Sequence, residues 1–257
     1  MKGSASVAAI LAVSVAFLSP HTRADGPQTS ALRVLASAGV KSALTAILPQ
    51  IEHSIGRRVT TVYDASKTLR EKMDGGEAFD VAILTSGDID GLIQQGKIAA
   101  NTRADFVRAG IGIGIRAGAP KPDISTPEAL KRTLLNAKSI TLNPNGASTV
   151  NFNKVLARLE IADRVTPKFV HETDLERLPI NIVQGKAELV VALIPEIMNF
   201  QGVELAGPMP GDLQTYVNFV AGVSTNTDKT EASKALIKSI TAPAVAPLLK
   251  AKGLEPR

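Results

Sequence analysis

The sequence predicts an α/β protein of two lobes, with parallel-type sheets, two hinge crossings between the lobes and a ligand cleft between them. Three observations lead to this prediction. Strand and helix patterns alternate along residues 32–95, as is typical of a parallel sheet covered by helices. Small and polar residues follow three of the strand patterns. Two long strand patterns, at 106–116 and 213–223, interrupt the alternation and are the predicted crossings.

The first strand–turn–helix unit has the pattern of an anion site. An apolar run at 32–36 predicts a strand, and the small residues 37–39 end it. Apolar residues then recur at 40, 43, 44, 47, 51 and 55, a spacing that predicts a helix. The first N–H groups of a helix are unpaired and carry partial positive charge, so they bind anions. Ser37, Gly39 and Val40 are therefore predicted ligand contacts.

Two similar units follow. A β-branched strand at 59–63 leads through a polar turn at 64–67 into a helix at 68–73. A nearly all-apolar strand at 79–84 then precedes a helix at 89–95. In such open sheets ligands bind beyond the carboxyl ends of the strands.

Three alternating glycines, Gly110, Gly112 and Gly114, lie within the strand pattern at 106–116. Their spacing is similar to that of a dinucleotide-binding loop, but a proline-containing break at 117–122 follows instead of a helix. We therefore predict a strand that contacts neighbouring backbone closely. A capped helix with an N1 proline is predicted to begin at 126–128.

A third polar turn, at 143–149, joins a predicted strand at 139–142 to a helix. Ser148 or Thr149 is placed to cap that helix. The turn is longer than a cap requires, so Ser148, Thr149 and Asn151 are also predicted to contact the ligand.

The remaining patterns complete the second lobe and return to the first. They predict a strand at 168–170, a helix from about 174 kinked at Pro179, a buried strand at 188–194, a loop at 202–211 and helices at 228–240 and 245–252. The two C-terminal helices are predicted to cover the first sheet. The first lobe is thus predicted to contain residues 25–108 and 224–257, and the second lobe residues 109–223. Hinge closure of two such lobes would trap a ligand.

Residues 1–24 have the pattern of a cleavable signal peptide. Lys2 precedes an apolar stretch at 7–18, and Thr22 and Ala24 supply small residues before the expected cleavage point. The apolar stretch is short for a membrane span. We therefore predict a protein that is exported to the periplasm and does not span a membrane.

Composition excludes several functional classes. The net charge is +5, charges of both signs are interspersed and only 4% of residues are aromatic, which disfavours a nucleic-acid partner. The chain has no cysteine, and the two histidines beyond residue 24, His53 and His171, are far apart in sequence. We therefore predict no metal site and no cofactor.

Residues 25–257 resemble type II periplasmic substrate-binding proteins of the molybdate-binding (ModA-like) group. The resemblance rests on the segments 34–44, 63–69 and 79–84 and on the order of elements through both crossings. It implies a monomer that binds a small anionic ligand between two lobes and delivers it to the permease of an ABC transporter.

This chain departs from that family at several implied site positions. The family's first serine falls on Gly39, with Ser37 two residues earlier, whereas its second serine is kept as Ser66. The backbone contact of its second lobe falls near Ser148, and its tyrosine is replaced by Leu193. Two of the three side-chain donors that hold a tetrahedral oxyanion are therefore missing.

Lys67 follows Ser66 where the family usually has a small polar residue, and Arg70 lies one turn further along the helix. These cations suit a carboxylate better than an oxyanion held by neutral donors. We therefore prefer a small polycarboxylate as ligand over a molybdate-like oxyanion. The alternative is that Lys67 points into solvent, as most lysines do.

The scaffold is also similar to that of periplasmic aconitate isomerase, which interconverts cis- and trans-aconitate without a cofactor. That resemblance implies cationic anchors for a tricarboxylate and a group that moves a proton. Lys67 and Arg70 are the candidate anchors. The candidate proton carriers are Lys67, Asp64, His171 and Glu172. The residues alone leave open whether the protein is a carrier or an enzyme.

Overall fold

The computed structural model describes residues 30–257, so the predicted signal peptide at 1–24 lies outside the described residues. The strands are β1 (Leu32–Ser37), β2 (Val59–Asp64), β3 (Val81–Thr85), β4 (Ala104–Arg116), β5 (Ile140–Leu142), β6 (Phe169–His171), β7 (Leu189–Leu193), β8 (Val203–Pro208), β9 (Tyr216–Val223) and β10 (Glu255–Pro256). The α-helices are α1 (Lys41–Ile55), α2 (Ser66–Asp74), α3 (Ser86–Gln94), α4 (Pro127–Asn136), α5 (Ala147–Arg158), α6 (Ala162–Val165), α7 (Leu178–Val183), α8 (Ile194–Ile197), α9 (Thr230–Ile240) and α10 (Ala246–Ala251).

The strands form one continuous sheet in the order β2-β1-β3-β9-β4-β7-β5-β6, with β8 and β10 paired to β4. In the first half, β1 lies parallel between β2 and β3. In the second half, β5 lies parallel between β6 and β7. Strand β4 joins the halves, because residues 104–110 pair with β9 and residues 111–116 pair with β7 and β8. The two-lobe α/β prediction is confirmed, and β4 is the first crossing.

Strand β9 belongs to the first half of the sheet. It pairs with β3 along its C-terminal part and with the first half of β4. The chain therefore returns to the first half before Tyr216, whereas we expected residues up to 223 in the second lobe. An apolar strand pattern shows that a strand forms but does not show which neighbour it pairs with, so the return point could not be read from the sequence.

The glycines of β4 make room for α8. A Cβ atom on Gly112 would lie 3.1 Å from Ile194 Cγ1 and 3.2 Å from the carbonyl oxygen of Gly207, and one on Gly114 would lie 3.0 Å from Ile197 Cγ2. Because alternate residues of a strand face the same side, these glycines form a flat strip under the helix. The predicted strand with close neighbours is confirmed.

The C-terminal segment returns to the first half, as predicted. Helices α9 and α10 pack on α1, and β10 pairs with β4. The nearly buried Asp80 anchors this segment, since it accepts hydrogen bonds from Arg33 N–H (2.7 Å), Lys229 Nζ (3.0 Å) and the Thr227 hydroxyl. Burial alone would raise the pKa of Asp80, but these hydrogen bonds outweigh it and hold the pKa below its ordinary value.

Two local predictions were wrong. Residues 202–211 were expected to form a loop, but 203–208 form β8, whose Gly207 and Pro208 obscured the strand pattern. Pro179 does not kink a long helix. It lies in the first turn of α7, where a proline is favourable, after a separate 3₁₀ turn at 175–177. Within residues 30–257, no helix is both long and apolar enough to cross a membrane.

Candidate ligand cleft

The polar turns lie at the carboxyl edges of both halves of the sheet. In the first half, Ser37 and Asp64 are paired at the ends of β1 and β2, and β3 ends beside them at Thr85. In the second half, Leu142 and His171 are paired at the ends of β5 and β6, with β7 on the other side of β5. Helices α1, α2 and α5 begin just beyond these ends, so their unpaired N–H groups lie at the two edges.

Two contacts bring these edges face to face. A Cβ atom on Gly39, in the 3₁₀ turn that precedes α1, would lie 2.6 Å from Leu193 Cδ1 at the end of β7. Lys41 Nζ donates a hydrogen bond of 2.6 Å to Glu176 Oε1, in the segment after β6. The turn after β1 therefore contacts the second half directly, and the cleft lies between the two edges.

Among the predicted contacts, Ser66 gives the strongest structural argument for a bound ligand. It begins α2 and is 5% exposed, and its Oγ atom has no hydrogen-bond partner among residues 30–257. A buried hydroxyl without a partner is unfavourable. An anion at the start of α2 would accept bonds from this hydroxyl and from the free N–H groups beside it. Lys67, the next residue, is exposed.

Arg70 is directed towards α3. Its Nε donates to Asp74 Oδ2 (3.1 Å) and its Nη1 to the carbonyl oxygen of Asp88 (3.1 Å). A Cβ atom on Gly91 would lie 2.5 Å from the guanidinium. Arg70 therefore joins α2 to α3. The structure does not bring it to Ser66 and Lys67 as a second anchor for a ligand.

Two of the candidate proton carriers also have local partners. Asp64 accepts from Lys72 Nζ (2.9 Å) and from the N–H of Ala65 (2.8 Å). Glu172 accepts from the N–H of Asp174 and forms an ion pair with Arg177 at 3.3 Å. These interactions hold each carboxylate within its own segment.

The third candidate, His171, is exposed at the end of β6. Its ring centroid lies 6.0 Å from that of Phe169.

The turn before α5 is organised by Asn143 and not by a serine or threonine cap. Gly146 is the N-cap, so Ser148 and Thr149 both lie in the first turn, contrary to the predicted capping role. The Thr149 hydroxyl donates to the carbonyl oxygen of Asn143 (2.7 Å), which closes the turn. The nearly buried Ser148 lies at the edge with free N–H groups, and Asn151 is half-buried one turn further on.

Glu196 was not predicted as a site residue. It is the third residue of α8, after Ile194 and Pro195, and its Oε2 accepts from the N–H of Leu193 (3.0 Å). Burial raises the pKa of Glu196 to about 7, although that hydrogen bond lowers it. This bond is only the glutamate half of a capping box, because Leu193 has no side-chain acceptor, so no capping signal for Glu196 was visible in the sequence.

The profile of the bacterial extracellular solute-binding protein family matches residues 32–255. The chain belongs to this family. Solved structures share the fold of this solute-binding protein. The periplasmic molybdate-binding protein of Azotobacter vinelandii has a TM-score of 0.73 and 16% identity, covering 87% of this chain and 98% of its own. The sulfate-binding protein SubI of Mycobacterium tuberculosis has a TM-score of 0.72 and 17% identity, covering 88% of this chain and 87% of its own.

Among curated proteins, an aconitate isomerase from Pseudomonas sp. is 24% identical over 230 residues, which cover 88% of this chain and 87% of the isomerase. The family assignment confirms the predicted solute-binding scaffold. It does not identify the ligand, which depends on the residues of the cleft.

Proposed function

We propose that this solute-binding protein is exported to the periplasm, captures a small organic polycarboxylate between its lobes and delivers it to the permease of an ABC importer. The observation that carries the proposal is the unpartnered, buried Ser66 hydroxyl at the start of α2, with the exposed ammonium of Lys67 beside it. A carboxylate would accept hydrogen bonds from the hydroxyl and the helix N–H groups, and would pair with the ammonium.

The contact between Gly39 and Leu193 supports a carboxylate over a tetrahedral oxyanion. Both positions correspond, by the family resemblance, to side-chain donors for an oxyanion. Here the leucine side chain occupies the space that a side chain on residue 39 would need. An apolar group at this place offers no hydrogen bond to an oxyanion, but it can pack against the carbon skeleton of an organic acid.

A second candidate function is the isomerisation of cis- and trans-aconitate in the same cleft. The aconitate isomerase that aligns along 88% of the chain favours it. Aconitate is itself a polycarboxylate, so both candidates need the same anchors. Lys67 is the exposed cation at the start of α2, and His171 is the candidate proton carrier at the edge of the second half. Carrier and enzyme then differ in whether the bound acid is released unchanged.

A ligand panel tests the proposal. Purified protein without the predicted leader is heated with citrate, tricarballylate, cis-aconitate, trans-aconitate, molybdate, tungstate, sulfate or phosphate. A ligand that saturates the native state a thousandfold over its dissociation constant stabilises it by about 4 kcal/mol. We expect the tricarboxylates to raise the melting temperature and the inorganic anions to leave it unchanged. A shift with molybdate alone would overturn the carboxylate assignment.

The same samples separate carrier from enzyme. Proton NMR of cis-aconitate incubated with the protein would show trans-aconitate accumulating if the cleft isomerises it. An unchanged cis-aconitate spectrum, together with a melting shift, supports the carrier.

A further inference from the structure

A second cavity, of about 410 Å³, lies between α1 and α8. One wall is the outer side of the first turns of α1, and the others come from the segment after β6, from α8 and from Lys252 at the end of α10. None of the nine ligand contacts predicted from the sequence lines it, although all nine belong to the described part of the chain. Its volume is within the range of small-molecule sites.

Most of the cavity wall is apolar. The side chains that supply this surface are Ala38, Ala46, Leu175, Pro195 and Phe200. They come from helices and turns of both lobes and include one aromatic ring. Such a wall favours a ligand with an apolar body over a compact, fully hydrated anion.

Four charged groups face this cavity, and they are not equivalent. Lys41 and Glu176 pair with each other at 2.6 Å and so neutralise one another. Lys252 has no carboxylate within ion-pair distance among residues 30–257. Glu196 accepts a hydrogen bond from a backbone N–H and has no cationic partner in the same set. One free ammonium and one carboxyl group therefore remain for a ligand.

We propose that the cavity between α1 and α8 is a second binding site, separate from the cleft, for a small monocarboxylate with an apolar body. The ligand's carboxylate pairs with Lys252 and accepts a hydrogen bond from the protonated carboxyl of Glu196. Its hydrocarbon part packs on the apolar wall beside Phe200. The site does not depend on which ligand occupies the cleft.

The protonation of Glu196 gives the site a pH dependence with a definite sign. The pKa of this carboxyl is raised to about 7, so at pH 6 most of it is protonated and can donate to a carboxylate. At pH 8 it is ionised and repels one. The other charged groups that face the cavity are Lys41, Glu176 and Lys252. Affinity should fall as the pH rises from 6 to 8, because Glu196 changes from a hydrogen-bond donor to a repelling carboxylate.

Benzoate is a suitable probe, with affinity measured by NMR titration at both pH values. Lys252→Met should weaken benzoate binding about tenfold or more, as expected for loss of a charged hydrogen-bonding partner. Lys250→Met, at an exposed lysine of α10 outside the cavity, is the matched control and should bind as the wild type does. Ala46→Phe should block binding by filling the cavity from the exposed side of α1.

Glu196→Gln keeps a neutral donor, so it should retain benzoate binding at pH 6 and remove the fall at pH 8. Absence of benzoate binding to the wild type would overturn the proposal. So would wild-type affinity in both Lys252→Met and Ala46→Phe. Competitive displacement of benzoate by a tricarboxylate would also overturn it, because it would place benzoate in the cleft.

Discussion

Gly39 and Leu193 fit together across the two lobes, with the leucine methyl occupying the position that a side chain on residue 39 would take. Phe219 closes the same space from β9, since its Cζ would lie 2.8 Å from a Cβ on Gly39. The residue at 39 is therefore tied to the residues at 193 and 219, and the turn after β1 could not carry a side chain without displacing them.

Gly39→Ser should accordingly destabilise the protein by about 1–3 kcal/mol, as overpacking of a buried contact does. Urea unfolding measures the change. Gly87→Ser is the matched control, because a Cβ there has nothing within 4 Å and the loss should be small. In the double variant Gly39→Ser with Leu193→Ala, the two losses should be less than additive. Additive losses would show that the two residues do not share this space.

Ser66→Ala should weaken ligand binding without lowering stability. Its hydroxyl has no partner in the described part of the chain, so removing it breaks no hydrogen bond there. A hydrogen bond to a charged ligand contributes about 1.5–3 kcal/mol, so affinity should fall about tenfold or more. Ser233→Ala is the control, since Ser233 in α9 is also buried and its hydroxyl also has no partner among residues 30–257. A ligand affinity unchanged by Ser66→Ala would remove Ser66 from the site.

Lys67→Met and Arg70→Met should have opposite effects. Lys67 is exposed beside Ser66, so its loss should lower the affinity for a polycarboxylate and leave the melting temperature nearly unchanged. Arg70 pairs with Asp74 within α2 and bonds to the carbonyl oxygen of Asp88 in α3, so its loss should lower stability more than affinity. Calorimetric titration and thermal unfolding of both variants measure the two effects. The reverse pattern would make Arg70 the anchor.

Glu176→Gln should speed ligand release from the cleft. The exposed pair of Glu176 and Lys41 links the two halves, and such a pair contributes at most about 1 kcal/mol. Dissociation should therefore be up to about fivefold faster in stopped-flow experiments, and the difference should disappear in high salt. Glu231→Gln, which breaks an exposed pair inside α9, should not change the rate. A salt-insensitive difference would argue against an electrostatic link.

Asp80→Asn should destabilise the protein at neutral pH by about 3 kcal/mol, because it leaves the partly buried Lys229 without its counter-charge. The folded-state pKa of Asp80 lies below the value of about 3.9 of an unfolded aspartate. The stabilisation of the folded protein by the ionised Asp80 carboxylate is thus complete at neutral pH. It is lost as the pH falls below about 4 towards the folded-state pKa.

Urea unfolding of the wild type and of Asp80→Asn between neutral and acidic pH measures this contribution. The difference between their free energies of unfolding should become smaller in acid. Asp90→Asn, in an exposed pair with Arg103, is the control and should change stability little at any pH. A gap independent of pH would show that the charge of Asp80 is not the cause.

Local patterns predicted the first three strand–helix units, the long strand β4 and the return of the C-terminal helices. They succeed because apolar periodicity and small-residue turns act over a few neighbouring residues. The pairing of β9 with β3 and the formation of β8 depend on which strands meet in space, and the sequence does not display those choices.

The candidate site shows the same division. Ser66 could be predicted as a ligand contact from a polar turn and a family resemblance, and the structure shows its hydroxyl buried, with no partner among residues 30–257. The helix itself begins at Ser66, two residues before the predicted start at 68. The direction of Arg70 could not be predicted, because Asp74 and the carbonyl of Asp88 compete with a ligand for its guanidinium. Nor could the role of Thr149, whose hydroxyl is used by the carbonyl of Asn143. A long polar side chain can often bind several partners with similar strength, and small differences in packing determine which partner it binds.

The path of β4 and β9 also sets the order in which the lobes can be completed during synthesis. The second half of the sheet uses one uninterrupted stretch, from residue 111 to the end of β8 at 208, whereas the first half needs β9 and, last of all, β10 at 255–256. Chains emerge from the N-terminus, so the half that begins first is finished last. Until β9 has been synthesised, β3 lacks the strand that pairs with its inner edge. A factor that binds nascent chains would therefore find its most persistent target in residues 32–85.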